Sequence, residues 1–467
     1  MGKKKKDGKI FTPDWMVQHM LYDHLFMKVS PRKHIIDNSC GDGAFLCEIV
    51  DRYCKIYISD IGNIDGLREC LETFIHGIEL DPVEYQKCLE NLDRVALNYG
   101  VNNVKWDIQN RDALSCRDYD GKMDYVIANP PYIRTHDLEC DLTGYSFADA
   151  GMTDIYLAFY ELGFRMLNET GRMVYIAPSS WFTSLAGKKM REYIMETRWL
   201  YSIENFCHAQ VFENATTYVA IASFKKDNKH NYVRYRESGG WVGVSYDDMC
   251  IDGKFYFGTP DQLNNLREIF ECGKALKRSE RPFQVKNSFA TLADNIFIMS
   301  DVPWVAGKHL IPVVKSSTGK WANCIFPYDT HGKTISEAEL KETSPMEYEW
   351  LSKHKGKLLE RATTEPWYAF GRTQAINDVY REKWAIKSII KTTGDLKPVM
   401  VPAGSGIYGG LYVLCDNPDG LKILETEDFM SYVKMLGKYK SGGYYAFSSK
   451  ELEDYLNWSC VTKKSRH

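Results

Sequence analysis

The sequence has no run of 18 or more apolar residues, and no apolar stretch follows its basic opening segment, Lys3 to Lys6. These absences argue against a membrane-spanning helix and a secretory leader, so a cytoplasmic protein with no membrane partner is expected. Cys-x-x-Cys pairs and Cys/His groups at zinc spacing are also missing. The 13 cysteines therefore predict reduced thiols, with neither disulfides nor a structural metal. Nor is there an excess of charge of one sign: the formal net charge is -3, which runs against the basic signature of a nucleic-acid binder. The balance is uneven, however. Residues 231–467 hold 32 Lys+Arg against 29 Asp+Glu, which leaves 27 against 33 for residues 1–230. The second half is thus net +3 and the first net -6, which leaves room for a basic cleft in the second half.

What is present is a chain of 467 residues with 44% hydrophobic content, too long for one core and apolar enough for two globular domains. Up to about residue 226, short apolar runs alternate with helical stretches. His34 to Ile36, Gly77 to Leu80, Tyr125 to Ala128, Met173 to Ala177 and Tyr218 to Phe224 read as strands. Pro82 to Leu97 and Tyr156 to Leu167 read as helices. Strands separated by helices predict an α/β domain with a mostly parallel sheet. The polar segment Lys225 to Asn231 ends this pattern. Beyond it come aromatics, short strand-like pieces and Gly-rich turns, so the expected division is residues 1–235 and 236–467, the second being mixed α/β.

Four motifs follow one another at the expected strand ends. Ile35-Ile36-Asp37 runs into Asn38-Ser39-Cys40-Gly41-Asp42-Gly43, a Gly-x-Gly turn that opens a helix and lets a ligand approach the backbone. A dinucleotide fingerprint is disfavoured because its third glycine is replaced by Phe45 or Leu46. One βα unit later, Gly77-Ile78-Glu79-Leu80-Asp81-Pro82 places an acid where it would accept both hydroxyls of a ribose; Asp81 suits a helix cap before Pro82. Asp112, after a third strand, is positioned to accept from an adenine amino group. Taken singly, each also suits an ordinary turn, cap or surface acid.

The fourth motif, Asp124-Tyr125-Val126-Ile127-Ala128-Asn129-Pro130-Pro131-Tyr132, is a buried strand entering Asn-Pro-Pro-Tyr. Two prolines fix the backbone and remove two donors. The side-chain oxygen of Asn129 and the carbonyl of Pro130 would then accept both hydrogens of a planar NH2 group. Such an amine is a poor nucleophile because its lone pair is delocalised into the ring. Two acceptors off the ring plane favour pyramidalisation and aim the lone pair at a methyl donor. Tyr132 would offer a face on which an extruded base stacks.

Taken together, these motifs resemble the gamma-class amino-methyltransferases of bacterial restriction–modification systems, well over residues 9–226 and loosely beyond. The resemblance implies a Rossmann-like S-adenosylmethionine-dependent methyltransferase domain followed by a target-recognition domain. The implied reaction is methylation of N6 of an adenine flipped out of double-stranded DNA. By this resemblance Thr12 of Lys9-Ile10-Phe11-Thr12-Pro13, Asp37 and the Gly41 and Gly43 backbone lie at the methionine end of S-adenosylmethionine; Glu79 holds the ribose and Asp112 the adenine. Phe212 of Val211-Phe212-Glu213-Asn214-Ala215-Thr216 is the second stacking residue, with a core position before a strand as the alternative; Phe159 packs near the cofactor or fills a helix core, and Ser179-Ser180-Trp181-Phe182 borders the DNA cleft. Members often carry Pro and Ala where Asn38 and Ser39 stand, a departure expected to matter little. In the second half, Trp367 to Gln374 is similar to an aromatic-Gly-Arg-x-Gln stretch of the recognition domains. This makes Arg372 and Gln374 candidate readers of base edges, with phosphate binding or a structural role as alternatives. Lys434 to Tyr445 mixes basic and aromatic residues and suits either backbone contact or a solvated helix.

The same tetrapeptide chemistry serves glutamine-amide methyltransferases of release factors, some RNA guanine-N2 enzymes and cytosine N4 methylation. About 30 residues before the glycine loop and over 200 after the catalytic domain favour DNA; Asn129 favours adenine over cytosine by family habit. No nuclease constellation is recognised in the second half, so if cleavage accompanies this protein, a cognate restriction endonuclease is expected as a separate polypeptide, and the chain itself as a monomer.

Overall fold

A computed structural model describes residues 12–24, 32–135, 142–149, 153–212, 217–305 and 307–464. The polypeptide divides into two compact units, Met1–Leu263 and Asn264–His467.

The first unit is built on a nine-stranded sheet. Its strands are β1 (Ile35–Asp37), β2 (Ile75–Glu79), β3 (Asp107–Asn110), β4 (Met123–Ala128), β5 (Leu167–Pro178), β6 (Leu200–Asn205), β7 (Val219–Lys225), β8 (Tyr232–Arg236) and β9 (Val242–Ser245). Their spatial order is β3-β2-β1-β4-β5-β7-β6-β8-β9. The pairs from β3 to β5 are parallel; β7 runs antiparallel to both β5 and β6, and β9 antiparallel to β8. β1 to β6 therefore all end on one edge. Its helices up to β6 are α1 (Asp14–His19), continued by a π turn at Met20–His24, α2 (Ala44–Ile61), α3 (Leu67–Phe74), α4 (Pro82–Leu97), α5 (Tyr156–Met166) and α6 (Lys188–Thr197).

Local chemistry sets these bounds. α4 opens at Pro82 because Asp81 caps it, its carboxylate accepting from the amides of Val83 at 2.8 Å and Glu84 at 3.4 Å. Cys88, Leu92 and Ala96, four residues apart, form its buried stripe. α2 lies between two left-handed glycines, Gly43 and Gly62, and buries Phe45, Leu46, Ile49, Val50, Tyr53, Cys54 and Tyr57. The core joins this stripe to Met16, Val17, Met20 and Leu21 of the N-terminal helix and to Ile176, Val219 and Ile221 of the central strands.

The compact division falls later than the expected position near 235. β8 pairs with β6, and β9 with β8, so both extend the first unit's sheet. The polar segment from Lys225 is a turn between strands, with the Asn228 amide on the Lys225 carbonyl at 3.0 Å.

The second unit is mixed α/β. One four-stranded sheet pairs Phe283–Asn287 with Leu411–Cys415, Lys383–Ile386 and Val399–Val401. Another joins Ile298–Met299, Lys320–Ile325, Leu310–Lys315 and Gly406–Tyr408. Its core gathers around Phe370, with Phe289 stacked at 4.7 Å and Tyr328 at 5.1 Å between ring centroids.

Candidate active site

The ends of β1, β2 and β4 bring the first-unit motifs to one edge. After β1 the chain turns through Gly41 (φ 55°) and Gly43 (φ 90°), a conformation that disfavours side-chain-bearing residues. The two glycines differ in purpose. A Cβ at Gly43 would meet Cys88 Sγ at 2.9 Å, so that glycine seats α2 against α4. A Cβ at Gly41 would meet nothing within 4 Å, and its backbone faces open space. Glu79 braces the loop: its carboxylate accepts from the amides of Gly41 and Asp81, both at 2.8 Å, one on each oxygen. Asp112 uses one oxygen to cap the following turn, accepting from the Leu114 amide at 2.9 Å.

Asp37 is 1% exposed, and its carboxylate accepts from the Ser39 amide at 3.0 Å. Burial pushes its carboxyl up to about 8; Glu79 and Asp42 add to the rise and the Ser39 amide opposes it. A buried acid at this edge is costly unless a cation or donor arrives to meet it. Together with the open space over Gly41, the acceptors Asp37, Glu79 and Asp112 fit a ligand carrying a cationic end, ribose hydroxyls and an amino group. That donor set fits S-adenosylmethionine.

Asn129 emerges from β4 beside this loop. Its amide nitrogen donates to Thr12 Oγ1 at 3.1 Å, and Ser39 Oγ lies 3.4 Å from its carbonyl oxygen. Pro130 is buried and Pro131 half-buried. The Tyr132 hydroxyl lies 2.6 Å from Asn129 Oδ1 and 2.9 Å from the Ile176 carbonyl, the two acceptors sharing its one proton, and burial raises its pKa well above the usual range. The structure thus brings Thr12, Asp37, Gly41, Gly43, Glu79, Asn129, Pro130, Pro131 and Tyr132 to one edge, and adds a feature the sequence did not reveal: the tyrosine hydroxyl caps the acceptor assigned to the substrate amine.

Several aromatic residues lie differently from expectation. Phe212 is 3% exposed and belongs to the core; its ring centroid is 6.3 Å from that of Tyr132 at 62°, an edge contact with no slot for a base between them. Trp181 and Phe182, expected at a cleft, are turned inward. Trp181 is fully buried and packs on Phe182 at 4.6 Å and Phe255 at 6.0 Å, because its ring gains more from the core than from water. Phe159 is buried in α5, in keeping with the helix-core reading given for it. Asn38, a departure from the resembled family, is structurally engaged: its amide donates to the Tyr175 hydroxyl at 2.6 Å inside the core. Residues 9–11 and 213–216 lie outside the described residues.

In the second unit, Trp367 to Gln374 splits into two halves. Tyr368, Ala369 and Phe370 are core. Gly371 passes Leu292 at a distance where a Cβ would sit 2.3 Å from Leu292 Cδ1. Arg372, Thr373 and Gln374 then emerge exposed, held by backbone pairing of Arg372 with Ala290. Gln374 donates to the Ser288 carbonyl at 2.9 Å and lines a pocket of about 450 Å³ with Arg278, Lys286, Thr373 and Asn377. Lys286 is neutralised there by Asp378, whereas the Arg372 guanidinium has no partner among the described residues. In the segment from Lys434, Lys438 pairs with Glu451 at 2.6 Å.

Residues 53–212 match the sequence model of the Eco57I restriction-modification methylases, a span that holds Glu79, Asp112 and Asn129 to Tyr132. The type II restriction enzyme and methyltransferase RM.Eco57I of Escherichia coli is 24% identical over 441 residues, covering 73% of this chain and 44% of its own length. The type II methyltransferase M.BstVI of Geobacillus stearothermophilus is 25% identical, covering 65% of this chain and 63% of its own. The chain thus spans about half the length of the curated relatives it matches. Among solved structures, the type IIL restriction-modification enzyme MmeI in complex with DNA is similar at a TM-score of 0.63 and 13% identity, over 97% of this chain and 67% of that one. The first unit has a Rossmann-like α/β fold, and a mixed α/β unit follows it. No helix of the described residues is long and apolar enough to cross a membrane.

Proposed function

We propose that this chain is a site-specific DNA methyltransferase that transfers the methyl group of S-adenosylmethionine to N6 of an adenine flipped out of double-stranded DNA. In this reading the first unit is catalytic and the second reads the sequence. The observation that carries it is the placement of Asn129-Pro130-Pro131-Tyr132 beside the Gly41–Gly43 loop, on an edge also lined by Asp37 and Glu79. The Eco57I methylase match across the tetrapeptide supports the same reading. Bound at this edge, the cofactor supplies an electrophilic methyl group.

The protein's part is to aim the amine. Asn129 Oδ1 and the Pro130 carbonyl accept its two hydrogens, and Thr12 fixes which way the Asn129 amide faces. Asp37, the Gly41 and Gly43 backbone, Glu79 and Asp112 would hold S-adenosylmethionine, whose sulfonium would give up its methyl group and become a thioether, and the extra proton of the methylated amine would pass to water. Tyr132 must release Asn129 Oδ1, or share it, when the base enters, and its ring then becomes available for stacking. Phe212 is the proposed second stacking residue, which requires it to leave the core position described above. Arg372 and Gln374 are the proposed base readers. In this role the protein acts in the cytoplasm as a monomer, the modification component of a restriction–modification system.

The test is transfer of a tritiated methyl group to unmethylated double-stranded DNA by the wild-type chain and Asn129→Ala, with cofactor affinity measured by calorimetry. Loss of transfer with cofactor affinity kept within about threefold is expected. Near-normal turnover by the variant would contradict the mechanism.

A further inference from the structure

A second charged cluster lies on the same edge of the first unit, three strands away from Asn129. Glu204, near the end of β6, is 8% exposed, and one of its oxygens receives three donors: His19 Nε2 at 2.7 Å, His24 Nε2 at 2.9 Å and Arg236 Nη2 at 2.7 Å. Asp23 completes the group, 3.2 Å from His19 Nδ1 and 3.4 Å from Arg236. Trp241 closes it, with Arg236 over its face at 4.4 Å, Arg234 at 4.7 Å and His24 against its edge at 5.5 Å. His19 and His24 are five residues apart, which on an α-helix would separate them by about 140°. The π turn at Met20–His24 brings positions five apart onto one face, so both imidazoles reach one carboxylate.

Two imidazoles and a carboxylate at this spacing would suit a divalent metal. Here, though, Arg236 already holds its charge against the same oxygen and stands 3.4 Å from His19 Nε2. The protein supplies its own cation. Burial holds His24 below its usual pKa, hence neutral, while the Glu204 hydrogen bond raises His19.

What this cluster grips is the far end of the segment that begins at Thr12. Through the sheet pairings Glu204 is level with Ile176, and Tyr175 with Ala128, so the strand spacing places Glu204 about 14 Å across the sheet from Asn129. The helix spans that distance on Met16, Val17, Met20 and Leu21, all buried. It is a strut with one end on Asn129 and the other on Glu204.

We propose that Glu204 is a positioning residue: acting through His19, His24 and Arg236, it fixes the helix whose leading residue, Thr12, orients the amide of Asn129. The activity arm of its test rests on the function proposed above; the exchange arm does not. Glu204→Gln, Thr12→Val and the double variant of the full chain are compared by amide hydrogen exchange over residues 12–24 and by single-turnover methyl transfer. Glu204→Gln is expected to speed exchange in that segment about tenfold, leave β1 and β4 protected, keep cofactor affinity within about threefold and slow transfer about tenfold. The double variant is expected to be no slower than the slower single variant, because both changes break one chain of contacts. Multiplying rate losses, or faster exchange with unchanged transfer, would overturn the proposal. Zinc that slowed exchange in the wild-type chain would also overturn it, by making the cluster a metal site. Should Glu204→Gln fail to fold, His19→Gln, at a more exposed ring, carries the same comparison. A wild-type chain inactive on DNA would sink the proposed function, while unchanged exchange in Glu204→Gln would sink the strut.

Discussion

Replacing Asp37 by Asn should make the protein without cofactor more stable and a worse cofactor binder. Asp37 titrates at about 8 in the folded chain against an ordinary value of 3.8, with burial as the main cause. An acid raised in this way keeps its proton longer when folded than when unfolded, so wild-type stability falls as pH climbs from about 4 to about 8 and is level above. At 1.36 kcal/mol per pH unit, the cost is about 1.5 kcal/mol at pH 5 and about 4 kcal/mol at pH 7, as upper bounds. Asn keeps the shape and can still accept the Ser39 amide, but carries no charge to desolvate. Scanning calorimetry of both proteins at pH 5 and 7 should show Asp37→Asn melting higher, with a margin that widens by at most roughly 5–10 °C between the two pH values, at about 2–4 °C per kcal/mol for a unit of this size. Cofactor affinity should move the other way. A cationic ligand end favours the ionised carboxylate, so wild-type binding should tighten toward pH 8, and Asp37→Asn should bind about tenfold more weakly, as befits one charged hydrogen bond. Parallel stability curves for the two proteins across this range would refute the account of Asp37.

Other substitutions probe the remaining contacts. Tyr132→Phe removes the hydroxyl on Asn129 Oδ1 and the Ile176 carbonyl, so urea unfolding should show a loss of about 1 kcal/mol while transfer stays within a few-fold. Tyr132→Ala should weaken DNA base capture more than cofactor binding, read by fluorescence of 2-aminopurine at the target position. Trp181→Ala should cost about 3–5 kcal/mol in chemical denaturation, since its ring fills the core; a loss under 1 kcal/mol would return it to the cleft. Arg372→Ala should cost about 1–3 kcal/mol in specific over non-specific DNA binding, while a uniform loss on all sequences with a shallower salt dependence would make it a phosphate contact.

The parts of the site that were legible in the sequence were those written in backbone chemistry. Asp81-Pro82 marked the start of α4 because cap and proline act locally, and Gly41 to Gly43 marked a left-handed turn because few other residues adopt it. Asn-Pro-Pro-Tyr marked a strand exit for the same reason. What escaped depends on tertiary packing. β6 was missed because Leu200–Asn205 carries polar residues that become buried only between β7 and β8. Trp181 and Phe212 look alike on paper whether they face a ligand or a core. The pairing of His19 with His24 escaped because their spacing converges only on a π turn. The unit division was read near residue 235 because the polar turn between β7 and β8 has the composition of a linker.

The central claim is the reaction itself, and the most direct test identifies the product. The full chain is incubated with S-adenosylmethionine and unmethylated genomic DNA, the DNA is digested to nucleosides, and these are resolved by mass spectrometry. The account predicts N6-methyldeoxyadenosine, absent with Asn129→Ala. A methylated cytosine would contradict the assigned base, and no methylated nucleoside despite measured cofactor binding would contradict DNA as the substrate.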